Sequence, residues 1–351
     1  MNHSWRIGTL IVVGVWLGWT IAAIPAFGQS LFTQLRLPNG IATDAGGNVY
    51  IHNDSGLQNQ ISKFTPNGVR VGNLPIGGFF DTSFTGRLTF ERSSGFLMDL
   101  LQAGLLLFIN PNTLQIVGGF DLRPVAPDAR AVYDVAIGGA NGPPAVHNFS
   151  GNILPGRITY GDLAVLRRGN QFDFYMTGVS VNTAFVMRFR LLPNGTTVGP
   201  QVLVASSLTT AGTVNQPRGV AVNANGTVIT TLPAIAGPTG AIDSLVAFSA
   251  DFVPGAGSPP AIGRGQFDFT SRGMTTDTAG NFYVATGVVG TSLCGVSGSG
   301  ALVFLSANLA TFRCLNLNAI LALSEDVAIS PANDRAYMTL DTGQVILFRL
   351  Q

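Results

Sequence analysis

A chain of 351 residues with a formal net charge of +1, 46% hydrophobic and only 11% charged residues has the apolar content to bury a core. It lacks the charge imbalance of a disordered polymer or of a protein that grips nucleic acid. Of its 19 basic residues one is Arg6, and the other basic side chains face 18 acidic ones, which also excludes a polybasic membrane-binding surface. With 44 glycines and 19 prolines, the composition asks for many short strands joined by tight turns, an all-β protein.

Met1 to Arg6 is a short, weakly basic start, and the run from Ile7 to Ile24 is apolar and uncharged. Ala26 and Gly28 then supply small residues two apart. These are the parts of a secretory signal peptide, residues 1–28, with cleavage expected after Gly28. The run is also as long as a short membrane-spanning helix, so retention as an anchor is the alternative. In either case residues 29–351 are expected outside the cytoplasm, as a single domain.

Beyond the leader one short grammar recurs. Pro38-Asn-Gly-Ile-Ala-Thr-Asp44 begins an apolar strand and turns it, and Val49 to Ile51 return. Weaker copies follow at Gly86 to Glu91 with Gly95 to Met98, and at Gly161 to Val165 with Phe172 to Met176. Clear copies recur at Gln216 to Ile229 and Ser271 to Val284, and a last one at Glu325 to Ser330 with Arg335 to Met338. After each hairpin comes a third apolar strand, such as Gln60 to Phe64. A fourth usually follows a Pro-Asn turn, whose Asn and Gly accept positive φ.

Six units of four short antiparallel strands predict a six-bladed β-propeller. Asp44, Glu91, Asn223, Asp277 and Ser330 share one repeat position and are expected to cap the inner hairpin turns. The sixth copy stops at Gln344 to Leu350 with three strands, so Leu31 to Leu37 is expected to supply its fourth and close the ring.

These repeats resemble the NHL-repeat family and, more distantly, the senescence-marker-protein/gluconolactonase, paraoxonase and strictosidine synthase propellers. The resemblance spans nearly all of the chain after the leader, and its motifs concern architecture rather than chemistry. In such a blade the inner strand starts on the upper face. The connections from strand four to strand one, and from two to three, lie there. The excess between the second and third copies, residues 123–160, is thus an upper-face insertion carrying His147. Cys294 and Cys314 are both expected near that face, as a disulfide in an oxidising compartment or as two buried thiols.

The residue before each inner-strand glycine should face the axis, giving Asn39, Gly86, Gly161, Arg218, Arg272 and Glu325. In gluconolactonase-like enzymes this position carries acidic and amide ligands for a divalent cation. Asn39 and Glu325 match that pattern, with Asp162 and Asp326 one residue further on, and calcium is the ion the resemblance implies. Arg218 and Arg272 depart from it, since two permanent guanidinium charges repel a cation. No cofactor is therefore expected.

The arginines suit a carboxylate or sulfate instead. Alternatively, Arg272 and Glu325 neutralise each other as an axial ion pair. Glu325 is the candidate for proton transfer, and His52 and His147, the two histidines after the leader, are candidate bases or ligand contacts. The leading expectation is a small acidic or aromatic ligand bound at the upper axial cleft by Arg218, Arg272, Asn39, Asp162, His52 and His147. A protein-interaction module and a metal-dependent hydrolase are the alternatives.

Overall fold

The structure, a computed structural model, describes residues 29–53, 59–76, 86–102, 104–122, 158–180, 183–207, 219–233, 243–253, 269–289, 301–316 and 324–350. Among them there is no helix, and the strands fall into six antiparallel sheets.

The first blade runs β2 (Pro38–Thr43), β3 (Val49–Asn53), β4 (Gln60–Phe64) and β5 (Arg70–Pro75). The second runs β6 (Gly86–Glu91), β7 (Phe96–Leu101), β8 (Leu105–Asn110) and β9 (Gln115–Asp121). The third has longer strands: β10 (Ile158–Arg168), β11 (Gln171–Ser180), β12 (Thr183–Leu191) and β13 (Thr197–Ser207). Three described strands make the fourth: β14 (Val220–Val222), β15 (Thr227–Pro233) and β16 (Asp243–Ser249). The fifth is β17 (Phe269–Thr276), β18 (Phe282–Val289), β19 (Ala301–Leu305) and β20 (Phe312–Asn316).

The sixth blade, β21 (Ser324–Ile329), β22 (Arg335–Leu340) and β23 (Gln344–Arg349), is completed by β1 (Gln29–Gln34), giving the order β1-β23-β22-β21. The closing strand therefore starts two residues earlier than the sequence suggests and ends at Gln34. Residues 35–37 lead into β2, with the Leu35 N–H bonded to the Gly343 carbonyl at 2.8 Å. Ile158 to Tyr160, assigned above to the insertion, are the first residues of β10, and the rest of that insertion lies outside the described residues.

The turn chemistry explains why the inner hairpins form. Asp44 Oδ1 accepts the N–H groups of Gly46 and Asn48, and its Oδ2 accepts from the Asn48 amide and the Tyr50 hydroxyl. Asp277 repeats the pattern with Ala279, Asn281 and Tyr283. Gly47 and Gly280 hold φ of 79° and 83° at the same point of the two turns, where a side chain would be strained. Glu91, Asn223 and Ser330 also bond the backbone of their own turns.

Six apolar clusters seal the joints between neighbouring blades. The joint between blades two and three carries an aromatic ladder in which Phe120 and Phe174 pack on Phe189. At the joint between blades six and one, Phe32 of β1 meets Tyr337 edge-on at 5.0 Å. Every blade thus buries both faces, and the fold needs all six.

Candidate axial site

The innermost strand of each blade is an edge, so its outward backbone groups face the axis without a strand partner. Side chains satisfy several of them. Asp162 Oδ2 accepts the N–H of Val220 on blade four at 2.9 Å and of Met274 on blade five at 3.0 Å. Asp326 Oδ2 accepts the N–H of Ile41 on blade one at 3.0 Å. Arg87 of blade two donates to the carbonyls of Asn39 and Glu325 at 2.6 and 2.8 Å.

The ring that fills the axis is therefore Gly40, Arg87, Asp162, Gly219, Gly273 and Asp326, one residue beyond the register expected from sequence. Its glycines admit close neighbours: a Cβ on Gly40 would meet the backbone of Gly86 and Leu88, and one on Gly219 would meet Met274. A methyl group on Gly273 would overlap Asp326 Oδ1. Arg87, next to Gly86, crosses the axis to the Glu325 carbonyl on blade six.

Both aspartates are fully buried, and this changes their chemistry. Burial pushes Asp162 up to about 6, against the opposing pull of Arg87 and of three backbone N–H groups. Burial, and next the charge of Asp162, hold Asp326 well above the usual carboxylate range.

Just above this ring, Arg87 and Arg272 converge on the Glu325 carboxylate. Arg87 Nη2 lies 3.5 Å from Oε2, and Arg272 Nη1 is bonded to Oε1. The three side chains are 10%, 17% and 11% exposed for Arg87, Arg272 and Glu325, so the cluster reaches solvent at one edge. Glu325 and Arg272 thus meet as an ion pair, while Arg218 lies outside the described residues. Asn39 stands beside them, its side-chain amide on the Leu37 carbonyl.

His52 lies one joint away. Its Nδ1 is 2.9 Å from Asp99 Oδ2 with both side chains fully buried, and its Nε2 has no partner among the described residues. His147 and Cys294 lie outside the described residues. Cys314 sits on β20 opposite Val303. Sequence reasoning missed Arg87 and Asp99. Arg87 was legible as a charge next to a ring glycine, and Asp99 as the one polar residue of Phe96-Leu-Met-Asp-Leu-Leu101.

The residues weighed as cation ligands, Asn39, Asp162, Glu325 and Asp326, do not form a donor set. The two aspartates are spent on backbone N–H groups and Glu325 on two guanidiniums, and among the described residues no three His, Cys, Asp or Glu side chains are grouped to hold an ion. Below the ring, the inner strands enclose a cavity of about 560 Å³ that runs to the hairpin-turn face.

Comparison with solved structures agrees with this architecture. The chain is similar to regucalcin, a calcium-binding protein from Agrobacterium tumefaciens, at 13% identity over 92% of this chain and 93% of that one, with a TM-score of 0.52. It is similar to a gluconolactonase from Xanthomonas campestris at 11% identity, over 94% and 93%, with a TM-score of 0.52. A luciferin-regenerating enzyme matches at 10% identity, over 92% and 95%, with a TM-score of 0.50.

The chain is a six-bladed β-propeller. No protein-family model and no curated protein sequence matches it, and at these identities the propeller shares its fold alone with those structures.

Proposed function

We propose that this propeller is exported and binds a small organic acid at the upper end of its axis, with Arg272 as anchor and Arg218 of the neighbouring blade as a second contact. The observation that carries the reading is the Arg87–Glu325–Arg272 cluster. Arg272, the most exposed of the three, bonds Glu325 through Nη1 and makes no other side-chain hydrogen bond among the described residues, at a partly exposed edge. A ligand carboxylate would accept charge-assisted hydrogen bonds from its remaining N–H groups. Export is supported by the leader, residues 1–28. An NHL-type origin of the repeats belongs to the same proposal.

A metal-dependent hydrolase has less support, because the acids it needs already serve the backbone and the arginines.

Native mass spectrometry of protein purified from its own host, with Arg272→Ala beside it, tests the proposal. The expected result is a co-purifying acid in the unsubstituted protein that is lost from the variant at unchanged melting temperature. Equal retention by both would remove Arg272 as the anchor.

A further inference from the structure

We propose a second anion site at the opposite end of the axis, where the 560 Å³ cavity is lined by the hairpin turns of blades two to five. Its anchors are Arg92 and Arg167, and its ligand is a small organic acid whose uncharged body enters the cavity.

Four charged side chains line this mouth: Glu91, Arg92, Arg167 and Asp277. The two acids are turned inward. Glu91 accepts from the N–H groups of Ser93 and Ser94, and these bonds hold its carboxyl below the ordinary value even though burial pushes it up. Both Asp277 oxygens are taken by the backbone and side chains of its own turn. The arginines are differently placed. Arg92 is exposed and makes no side-chain hydrogen bond among the described residues. Arg167 spends only Nε, on the Gly169 carbonyl at 2.7 Å, and its guanidinium lies over the Phe172 ring at 5.5 Å. This contact leaves both terminal amino groups unbonded among the described residues.

Beyond the turn, Arg168 pairs with Asp173 and Asp251, Arg190 with Asp173, and Arg188 bonds the Ala250 carbonyl and Gln201. Arg92 is attracted by the nearby Asp277 charge, but the oxygens of Asp277 and Glu91 are already bonded within their own turns, so this mouth presents guanidinium donors without side-chain acceptors bonded to their terminal amino groups. That is a site for an anion rather than a cation. The volume behind it lies within the range of small-molecule pockets, about 300–1,000 Å³. Inner-strand edges and threonines such as Thr43 and Thr276 form its wall, so the body of the ligand meets a mixed polar and apolar surface.

Isothermal titration calorimetry at low ionic strength, with naphthalene-2-sulfonate, inorganic sulfate and uncharged 2-naphthol as probes, tests both halves of the inference. The sulfonate is expected to bind at least about tenfold more tightly than sulfate or naphthol, since it alone has anion and body together. The double variant Arg92→Gln with Arg167→Gln should weaken the sulfonate at least about tenfold, and Arg272→Ala should leave it unchanged. Should the double variant fail to fold, Arg92→Gln alone supplies the comparison, because its side chain is exposed and unbonded.

Unaltered affinity in these variants, or no heat with millimolar sulfonate, would overturn the site. Equal affinity for sulfate and sulfonate would overturn the role of the cavity. Loss of binding in Arg272→Ala alone would assign the sulfonate to the upper site and overturn the lower one.

Discussion

Asp162 on blade three accepts a hydrogen bond from the backbone N–H of Met274 on blade five at 3.0 Å, through the same oxygen that takes the Val220 N–H on blade four. One buried carboxylate thereby ties three blades at their inner edges. Asp162→Ala would leave three buried N–H groups, those of Val220, Met274 and Leu163, unpaired and open a cavity. A loss of at least about 3 kcal/mol is expected, from about 1–3 per orphaned group. Asp162→Asn keeps an acceptor and should lose clearly less. Chemical denaturation of the two variants checks the order, and equal losses would count against the cross-blade role.

The same carboxylate makes stability depend on pH in an unusual direction. Asp162 is held up to about 6 and Asp326 well above its usual range, both chiefly by burial. Folded carboxyls that bind protons more tightly than unfolded ones stabilise most below the unfolded value of about 4. That contribution fades as pH rises through about 6, by an amount on the order of 3 kcal/mol for Asp162. Glu91 works oppositely, because its lowered folded value means that its contribution is lost on acidification. The melting temperature should therefore fall as pH rises from about 4 through about 6. Asp326→Asn should flatten that slope, and an unchanged slope would show that the axial pair does not cause it.

The hairpin-capping acids and the closing strand could be read from sequence because each depends on residues adjacent in the chain or on a strand left over by the count. The axial ring could not be read in the same way. The pattern alone puts the residue before each glycine at the axis, but which residue of an inner strand faces it depends on what the neighbouring blades present. Asn39 and Gly86 stood in the repeat position that seemed to matter, yet Gly40 and Arg87 are the pair that interlock. The complementarity was written in the next column, three glycines with one Arg and two Asp, and only the closed ring shows which fills which.

Gly86 bears on a different joint. A methyl group there would overlap both His52 Nδ1 and Asp99 Oδ1, so the buried pair and the glycine require one another. Gly86→Ala should destabilise by about 1–3 kcal/mol as overpacking does. Adding His52→Ala in the same chain should recover part of that loss. The coupling is measurable as a double-mutant cycle, and strict additivity of the two substitutions would separate the glycine from the dyad.

Closure of the ring sets the last expectation. β1 pairs with β23 from Gln29 opposite Phe348 to Gln34 opposite Gln344, and Phe32 lies 5.8 Å from Phe64 and 5.0 Å from Tyr337 by ring centroid. Removing residues 29–37 exposes the β23 edge and uncovers the joint between blades six and one. The hydrogen bonds that would remain across that joint, from the Ile41 N–H to Asp326, from Thr43 to the Ile329 carbonyl and from Arg335 to the Pro66 carbonyl, are isolated contacts and do not replace a paired strand. Deletion should abolish cooperative unfolding, whereas Phe32→Ala alone should cost about 2–4 kcal/mol and leave a cooperative transition. Differential scanning calorimetry distinguishes the two outcomes. A deletion variant melting at the unaltered temperature would mean that the six joints do not depend on one another, contrary to a ring in which each blade buries both faces.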